Sequence, residues 1–197
     1  MHLAKKGLRV LGIAESYTGE DRSVLAGVVM RKDLRTDGLS FSSTTVGGMD
    51  ATRAVISLYQ NFARDDINII MISGSVISWF NIIDPQRILN ETGKGTIIVT
   101  YEDSDGLEEK ISHHFPGDRE RLGAYQALGP RHPVTLSTGY TMYIRSCGLS
   151  RRDAERLCND FTLDGKIPEP LRVARLCARA VQRFDRRKAE TEVAGCI

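Results

Sequence analysis

The stretch RVLGIAES, from Arg9 to Ser16, decides the fold prediction for this chain. Its centre, Val10 to Ile13, is a short apolar run without alternation, which is typical of a strand buried on both faces in the middle of an α/β sheet. Functional groups in such sheets gather just beyond the carboxyl ends of the strands. Glu15 stands at that end, so its carboxylate is a candidate for a functional site. The alternative is a polar residue placed where the strand reaches water.

Composition favours one domain of ordinary size, covering residues 1–197. The overall charge does not indicate any class of binding partner. The 197 residues are 41% hydrophobic and 26% charged, and the formal net charge is +2. No apolar run reaches the roughly 18 residues that a membrane span needs, and the N-terminus lacks the apolar core of a signal peptide. The cysteines are too widely spaced for a zinc site or a disulfide framework, so reduced thiols in a cytoplasmic protein are expected. They are Cys147, Cys158, Cys177 and Cys196.

The first third of the chain is predicted to form three consecutive strands. The turn GEDR (19–22) joins the first strand to a second one, Ser23 to Arg31, as a hairpin. The polar stretch KDLRTDGLS (32–40) is interpreted as a connection with a turn at Asp37-Gly38. A third strand, FSSTTV (41–46), follows and is rich in residues that favour strands.

Helices and strands alternate in the rest of the chain. Ile67 to Ser73 is a second doubly apolar strand, and GTIIVTYE (95–102) is another buried one. A final helix is predicted from Pro168, and the tail 185–197 is expected to be flexible. Three strands followed by this alternation predict a mixed α/β sheet flanked by helices, the element order of ribonuclease H-like folds. N-caps are predicted at Asp50, Asp84 and Ser150, and a C-cap at Gly93.

The carboxyl ends of the central strands hold few acids for metal-dependent chemistry. A phosphodiesterase that uses Mg²⁺ or Mn²⁺ needs several carboxylates converging on one or two ions. Glu15 and Asp50 are the candidate ligands, and Ser73 stands where a third acid would be useful. Because neighbouring strand residues point to opposite faces, Glu15 cannot simply replace an acid at position 14. The commoner roles of such residues, a solvated strand end for Glu15 and a helix cap for Asp50, are the alternative.

Other candidates for ligand binding lie in the loops beside these residues. Gly47 and Gly48 precede a helix and could cradle a phosphate, although a tight turn is the commoner role of such glycines. Gly74 follows the second central strand and would line the same cleft. The pair Trp79-Phe80 could stack on a base or cover the core.

Basic residues are concentrated near the C-terminus. Residues 145–188 contain twelve Lys or Arg against six Asp or Glu. Arginines recur on the last helix at a spacing of three to four, which suits a phosphate backbone but is also typical of an ordinary solvated helix face. Of these arginines, we take Arg172 and Arg175 as candidate ligand-binding residues. The whole stripe consists of Arg172, Arg175, Arg179, Arg183 and Arg186.

Four stretches resemble the motifs of an uncharacterised, mainly archaeal family, the domain of unknown function 99 (UPF0215). The resemblance extends from Arg9 to about Arg183, and IPEPLR is its most specific element. That family is similar in sequence order to endonuclease V. The resemblance therefore implies a ribonuclease H-like fold, cleavage next to deaminated bases with magnesium, and DNA or RNA as the partner. The stretches are LAGVVMR, TTVGGMDAT, FNIID with the following ETG, and GKIPEPLRVARL.

The sequence departs from this pattern at the acids. GIAESY resembles the nuclease's Gly-Val-Asp-Val-Ser-Tyr segment, but Ala14 stands where both families carry Asp on the first strand. Glu15 corresponds to the second acid of the archaeal family's Asp-Asp pair, and Asp50 falls near the nuclease's catalytic Glu. Ser73 stands where the nuclease keeps an Asp. Loss of metal ligands removes both the ion and the water it activates.

Three hypotheses follow from these residues. The favoured one is an endonuclease V-like scaffold that binds nucleic acid or a nucleotide at the old cleft without cleaving it. The second is a metal-dependent endonuclease with a rebuilt site that uses Glu15, Asp50 and Asp84. The third is a protein-interaction module. Self-association into a homo-oligomer is compatible with each of them.

Overall fold

A computed structural model, which describes residues 7–19, 21–103 and 105–194, contains a seven-stranded mixed sheet and six helices in those residues. The strand order is β3-β2-β1-β4-β7-β9-β8, and β5 and β6 form a separate hairpin. The strands are β1 (Arg9–Ser16), β2 (Arg22–Arg31), β3 (Thr36–Thr45), β4 (Ile69–Ser73), β5 (Val76–Ile77), β6 (Asn81–Ile82), β7 (Gly95–Thr100), β8 (His132–Thr135) and β9 (Thr141–Cys147). The helices are α1 (Ala51–Asn61), α2 (Pro85–Thr92), α3 (Glu108–His114), α4 (Arg119–Ala127), α5 (Arg151–Asp160) and α6 (Glu169–Ala194).

Strand directions bring four strand ends to one edge of the sheet. β1 pairs antiparallel with β2 and parallel with β4, and β4 pairs parallel with β7. β3 is antiparallel to β2, so it runs in the direction of β1. We call the edge where these four strands end the carboxyl edge. Its last strand residues are Ser16, Thr45, Ser73 and Thr100.

The central strand is buried on both faces, as its apolar run predicts. Val10 and Ala14 belong to the core under α5 and α6, whereas Leu11 and Ile13 belong to the core under α1 and α2. All four side chains are at most 2% exposed. The alternation of a strand therefore assigns Glu15 to the α1 face and position 14 to the α6 face.

The IPEPLR motif seats α6 against the centre of the sheet. Pro170 packs so closely on Gly12 that a Cβ there would lie 2.5 Å from the Pro170 carbonyl carbon. Leu171, Ala174 and Ala178 continue this contact at helical spacing and are fully buried. Leu176 of the same helix is 55% exposed, because the buried face follows Leu171 and the two small residues.

One boundary prediction differs from the structure. Asp37-Gly38 lies inside β3, and the turn is formed by residues 32–34. The polar Asp37 stays in the strand because its carboxylate accepts hydrogen bonds from Arg9 and Arg64. Residues 185–194 are helical and end α6, while 195–197 lie outside the described residues, and the flexibility of this tail stays a prediction.

Three of the predicted helix caps are confirmed. Asp84 and Ser150 accept hydrogen bonds from the first amides of α2 and α5. Gly93 ends α2 in the left-handed conformation that glycine favours. The three cysteines in the described residues are free thiols, and Cys196 lies outside them. Among the described helices, none combines the length and apolar character that a membrane crossing requires.

Candidate functional site at the carboxyl edge

Glu15 is held by the loop that joins β5 to β6. Its Oε1 accepts hydrogen bonds from the Ser78 amide at 2.8 Å and from the Ser78 hydroxyl at 2.6 Å. The Ser78 hydroxyl also contacts that of Ser23, which is fully buried. The Ser78 carbonyl accepts from the Gly47 amide at 2.7 Å. Ser78 thus connects Glu15 to the Gly47-Gly48 loop, so the structure brings these three predicted site residues together.

Asp50 faces β3 and β6 instead of capping α1. Both of its oxygens accept hydrogen bonds from Thr45, and Oδ1 also accepts from the Thr44 hydroxyl and from Asn81 at 2.7 Å. The predicted side-chain cap is therefore wrong, although Asp50 holds the N-cap position. Asn81 takes over that role, since its Oδ1 accepts from the Ala51 amide at 2.9 Å.

These hydrogen bonds keep Asp50 ionised. Burial alone would raise the pKa of Asp50, but the donors on Thr44, Asn81 and Thr45 outweigh it and lower the pKa from 3.8 to about 2. A carboxylate whose lone pairs are shared among protein donors has little capacity left to ligate an ion. The arrangement supports a structural role for Asp50 that locks α1 to the end of β3.

Replacing Asp50 by asparagine is expected to lower the free energy of unfolding by about 2 kcal/mol at neutral pH, because the donors lose a charged acceptor. Since the folded-state pKa is depressed, this stabilisation is present above pH 4 and is lost as the pH falls toward 2. Urea denaturation from pH 7 to pH 2 should therefore show the wild-type and Asp50→Asn curves converging in acid. The exposed Asp65, changed to asparagine, is the control. A constant gap between wild type and Asp50→Asn at all pH values would contradict this account.

The Gly47-Gly48 loop is fastened by Arg121, which is only 4% exposed. The Arg121 guanidinium donates to the Gly47 and Gly48 carbonyls at 2.8 and 3.0 Å. The two glycine amides donate to the carbonyls of Ser78 and Thr45. The amides that would cradle a phosphate are thus engaged inside the protein, and Gly47 adopts a φ of +69°, as in a tight turn.

Ser73 lies on the opposite face of the sheet from Glu15. It alternates with Met71, which belongs to the core under α6 together with Ala14. Arg175 of α6 donates to the Ser73 hydroxyl at 3.2 Å, and its guanidinium lies 5.2 Å from the centre of the Tyr101 ring. Burial raises the pKa of Tyr101, so this phenol stays neutral.

The residues at this edge do not fit a divalent ion. Glu15 and Ser73 are on different faces, Asp50 is saturated by protein donors, and position 14 offers a methyl group. The guanidinium of Arg175 lies on the Ser73 side, where its charge would repel a metal. In residues 7–19, 21–103 and 105–194, no three His, Cys, Asp or Glu side chains are grouped so that they could hold an ion.

The remaining predicted residues differ in what they can still bind. Gly74 adopts a φ of +88° and lines a pocket of about 110 Å³ with Ser75 and Arg145. Arg172 is paired with Glu169, a carboxylate that is 4% exposed, so its charge is neutralised locally. Arg175 forms no ion pair within the described part of the chain, and its partners there are the Ser73 hydroxyl and the Tyr101 ring.

Sequence reasoning missed the residues that organise the site. Arg121, Ser78 and Asn81 are three of them, and Tyr101 is a fourth. Each forms a hydrogen bond with a partner more than 25 positions away along the chain, so local sequence patterns cannot predict the contact. Only the polar pair that flanks Trp79-Phe80, Ser78 and Asn81, marks this loop as unusual.

Comparisons with known proteins place the chain in a family. The UPF0215 protein of Pyrobaculum calidifontis is 38% identical over 184 residues, covering 91% of this chain and all of that protein. The crystal structure of a protein of unknown function from Archaeoglobus fulgidus has 27% identity and a TM-score of 0.75, and covers 88% of this chain and 98% of its own.

Endonuclease V has the same fold at lower identity. The Ciona intestinalis enzyme, crystallised with a 24mer DNA containing an inosine, has 15% identity and a TM-score of 0.61, and covers 91% of this chain and 87% of its own. The predicted fold class, an α/β ribonuclease H-like mixed sheet similar to endonuclease V, is therefore confirmed. The family model for endonuclease dU matches residues 6–182. The chain thus belongs to the endonuclease dU family, together with the archaeal UPF0215 proteins.

Proposed function

We propose that this chain binds the phosphate backbone of single-stranded nucleic acid at the carboxyl edge and does not cleave it. The observation that carries the proposal is Arg175, a cation beside Ser73 on the face where the resemblance to endonuclease V implies acids. A cation at this position attracts a phosphate, whereas hydrolysis by this fold requires carboxylates that hold metal. The Ciona intestinalis neighbour was crystallised with DNA, which supports nucleic acid as the ligand class.

Arg175 is suited to bind phosphate. A guanidinium is planar, permanently charged and weakly hydrated, and it can donate two parallel hydrogen bonds to a phosphate. The Ser73 hydroxyl and the Tyr101 ring hold the group in place without neutralising it. Little rotamer freedom is therefore left to lose when an anion binds.

The arginine stripe of α6 continues from Arg175 past the sheet. Arg179 and Arg183 are exposed one and two turns further along the helix. Gln182 lies between these turns, and its side-chain amide forms a hydrogen bond with the Thr18 hydroxyl at 2.8 Å, which places this part of α6 beside the chain that leaves β1. A pocket of about 320 Å³ opens there, lined by Thr18, Gln182, Arg183, Arg186 and Arg187. Successive phosphates could thus follow the helix from the carboxyl edge outward.

Binding of a fluorescein-labelled single-stranded oligonucleotide in EDTA tests the proposal. We expect the logarithm of the association constant to fall linearly with the logarithm of salt, by about 0.7 for each phosphate bound. Arg175→Ala should weaken binding about tenfold at low salt and reduce the slope by about 0.7. Arg35→Ala, in the exposed turn at the opposite edge, is the matched control. Absence of binding at 50 mM salt, or equal affinity of Arg175→Ala, would contradict the proposal.

A metal-dependent endonuclease is the second candidate, because the Glu15 Oε2 accepts no hydrogen bond within the described residues. Two modified nucleosides are tested as substrates. Deoxyuridine is chosen from the family name, and inosine is chosen because the DNA of the Ciona intestinalis complex contains it. We expect no cleavage of strands that contain either base with Mg²⁺ or Mn²⁺. Cleavage that EDTA abolishes and Glu15→Gln removes would establish the endonuclease instead.

A further inference from the structure

Trp79 lies in an unusual left-handed turn between β5 and β6. Ser78, Trp79 and Phe80 have φ angles of +44°, +59° and +61°. Each non-glycine residue in this conformation costs the folded state about 1 kcal/mol or more. Such conformations persist only where surrounding contacts impose them. Strained backbone of this type clusters at active sites, ligand clamps and switch regions.

Surrounding contacts impose this conformation at both ends. Ser78 is fixed by Glu15 and Ser23, as described above, and is 3% exposed. The Phe80 carbonyl accepts a hydrogen bond from Arg121 at 2.5 Å, and Asn81 is fully buried. The backbone that carries Trp79 is therefore fixed on both sides.

One side of the Trp79 indole is packed and the rest is open. Its ring centre lies 4.9 Å from the His114 ring and 5.5 Å from the Phe80 ring, and Phe80 in turn contacts Phe115. Trp79 remains 47% exposed. The indole therefore keeps open surface on which a base could stack, as the base-stacking alternative requires.

The loops beside Trp79 expose further apolar side chains. Met49, in the loop before α1, is 37% exposed, and Tyr17, just after β1, is 42% exposed. A Cβ added at Gly47 would lie 3.6 Å from the indole. The surface that includes Trp79 thus lies at the carboxyl edge on the Glu15 side, so a strand held by Arg175 on the Ser73 side would cross this edge to reach it.

We infer that Trp79 is a stacking platform for an unpaired base of the bound strand. The inference rests on the proposed function and adds to it that the ligand is single-stranded with an accessible base. Stacking on an aromatic side chain is tolerant of sequence, because every base has a flat apolar face. A duplex, whose bases are already stacked on one another, could not use this platform without unpairing.

Fluorescence tests this directly, because Trp79 is the single tryptophan of the chain. Oligo(dT) and an abasic strand of the same length, which carries the same phosphates, are titrated into the full chain in EDTA. We expect the emission to be quenched by oligo(dT) and much less by the abasic strand. Trp79→Ala should weaken oligo(dT) binding about tenfold, measured by the anisotropy of a labelled strand. Binding of the abasic strand should be unaffected by that substitution.

Two further variants separate stacking from a general loss of structure. Trp79→Phe keeps an aromatic face and should retain most of the affinity, whereas Phe41→Ala, an exposed aromatic in the middle of β3, should change nothing. If oligo(dT) binds but leaves the emission unchanged, and Trp79→Ala binds as wild type, the platform is refuted while phosphate binding stands. If neither strand binds at low salt, both proposals fail.

Discussion

Replacing Gly12 by alanine is expected to lower the free energy of unfolding by about 3 kcal/mol, because the new Cβ collides with backbone. At this position a Cβ would lie 2.5 Å from the Cβ and the carbonyl carbon of Pro170 and 2.6 Å from its carbonyl oxygen. Pro170 is in the first turn of α6 and its ring is rigid, so neither partner can rotate away. Urea denaturation followed by circular dichroism measures the loss.

Two other glycines provide matched controls. Gly27 of β2 would meet the end of the Leu58 side chain, which can change rotamer, so Gly27→Ala should cost less than Gly12→Ala. Gly123 of α4 has open space around it, and Gly123→Ala should raise the stability by up to about 1 kcal/mol. A Gly12→Ala variant as stable as Gly27→Ala would show that α6 is not seated on β1 in this way.

The Gly12 contact also links the fold to the proposed site. Because Pro170 sits on the centre of β1, the next turn of α6 brings Arg175 to Ser73 at the end of β4. Glu169 is buried beside Pro170 and holds Arg172. The IPEPLR motif therefore docks α6 on the sheet, and Arg175, which follows the motif, is the residue that binds phosphate in the proposed function.

The elements that the sequence predicts well are those with local causes. Doubly apolar runs identify β1, β4 and β7, since a central strand must bury both faces. The caps at Asp84 and Ser150 follow from one short polar side chain that accepts from amides two or three residues away. The separation of positions 14 and 15 onto two faces follows from the period of a strand, and the two cores confirm it.

The site is less predictable because its residues meet through tertiary contacts. Asp50 is a residue type that commonly caps helices. Its carboxylate instead accepts hydrogen bonds from Thr44 and Asn81, in preference to the amides of its own helix. Asp37-Gly38 resembles a turn, yet Arg9 and Arg64 compensate the carboxylate within the strand. In each case a partner 6 to 31 residues away decides the outcome for a side chain whose local pattern indicates something else.

Arg121 is the residue on which the loops at the carboxyl edge depend most. Its guanidinium donates to the carbonyls of Gly47, Gly48 and Phe80, and pairs with Asp118 at 3.0 Å. It also lies 3.9 Å from the centre of the Phe115 ring. We expect Arg121→Ala to lower the free energy of unfolding by about 4 kcal/mol, because three carbonyls lose their donor and a well-packed side chain is removed.

The effect should extend to Trp79, since Arg121 holds one end of its left-handed turn. We expect a red-shifted Trp79 emission in Arg121→Ala and, under conditions where the variant is still folded, weaker binding of oligo(dT). Arg121→Lys should recover only part of the stability, because an ammonium cannot reproduce the fork that reaches three carbonyls. Arg119→Ala, which removes an exposed arginine from the first position of the same helix, is the control and should behave as wild type. If Arg121→Ala unfolds within about 1 kcal/mol of wild type and its emission is unchanged, the loops are held by other contacts, and the strain at Trp79 needs a different explanation.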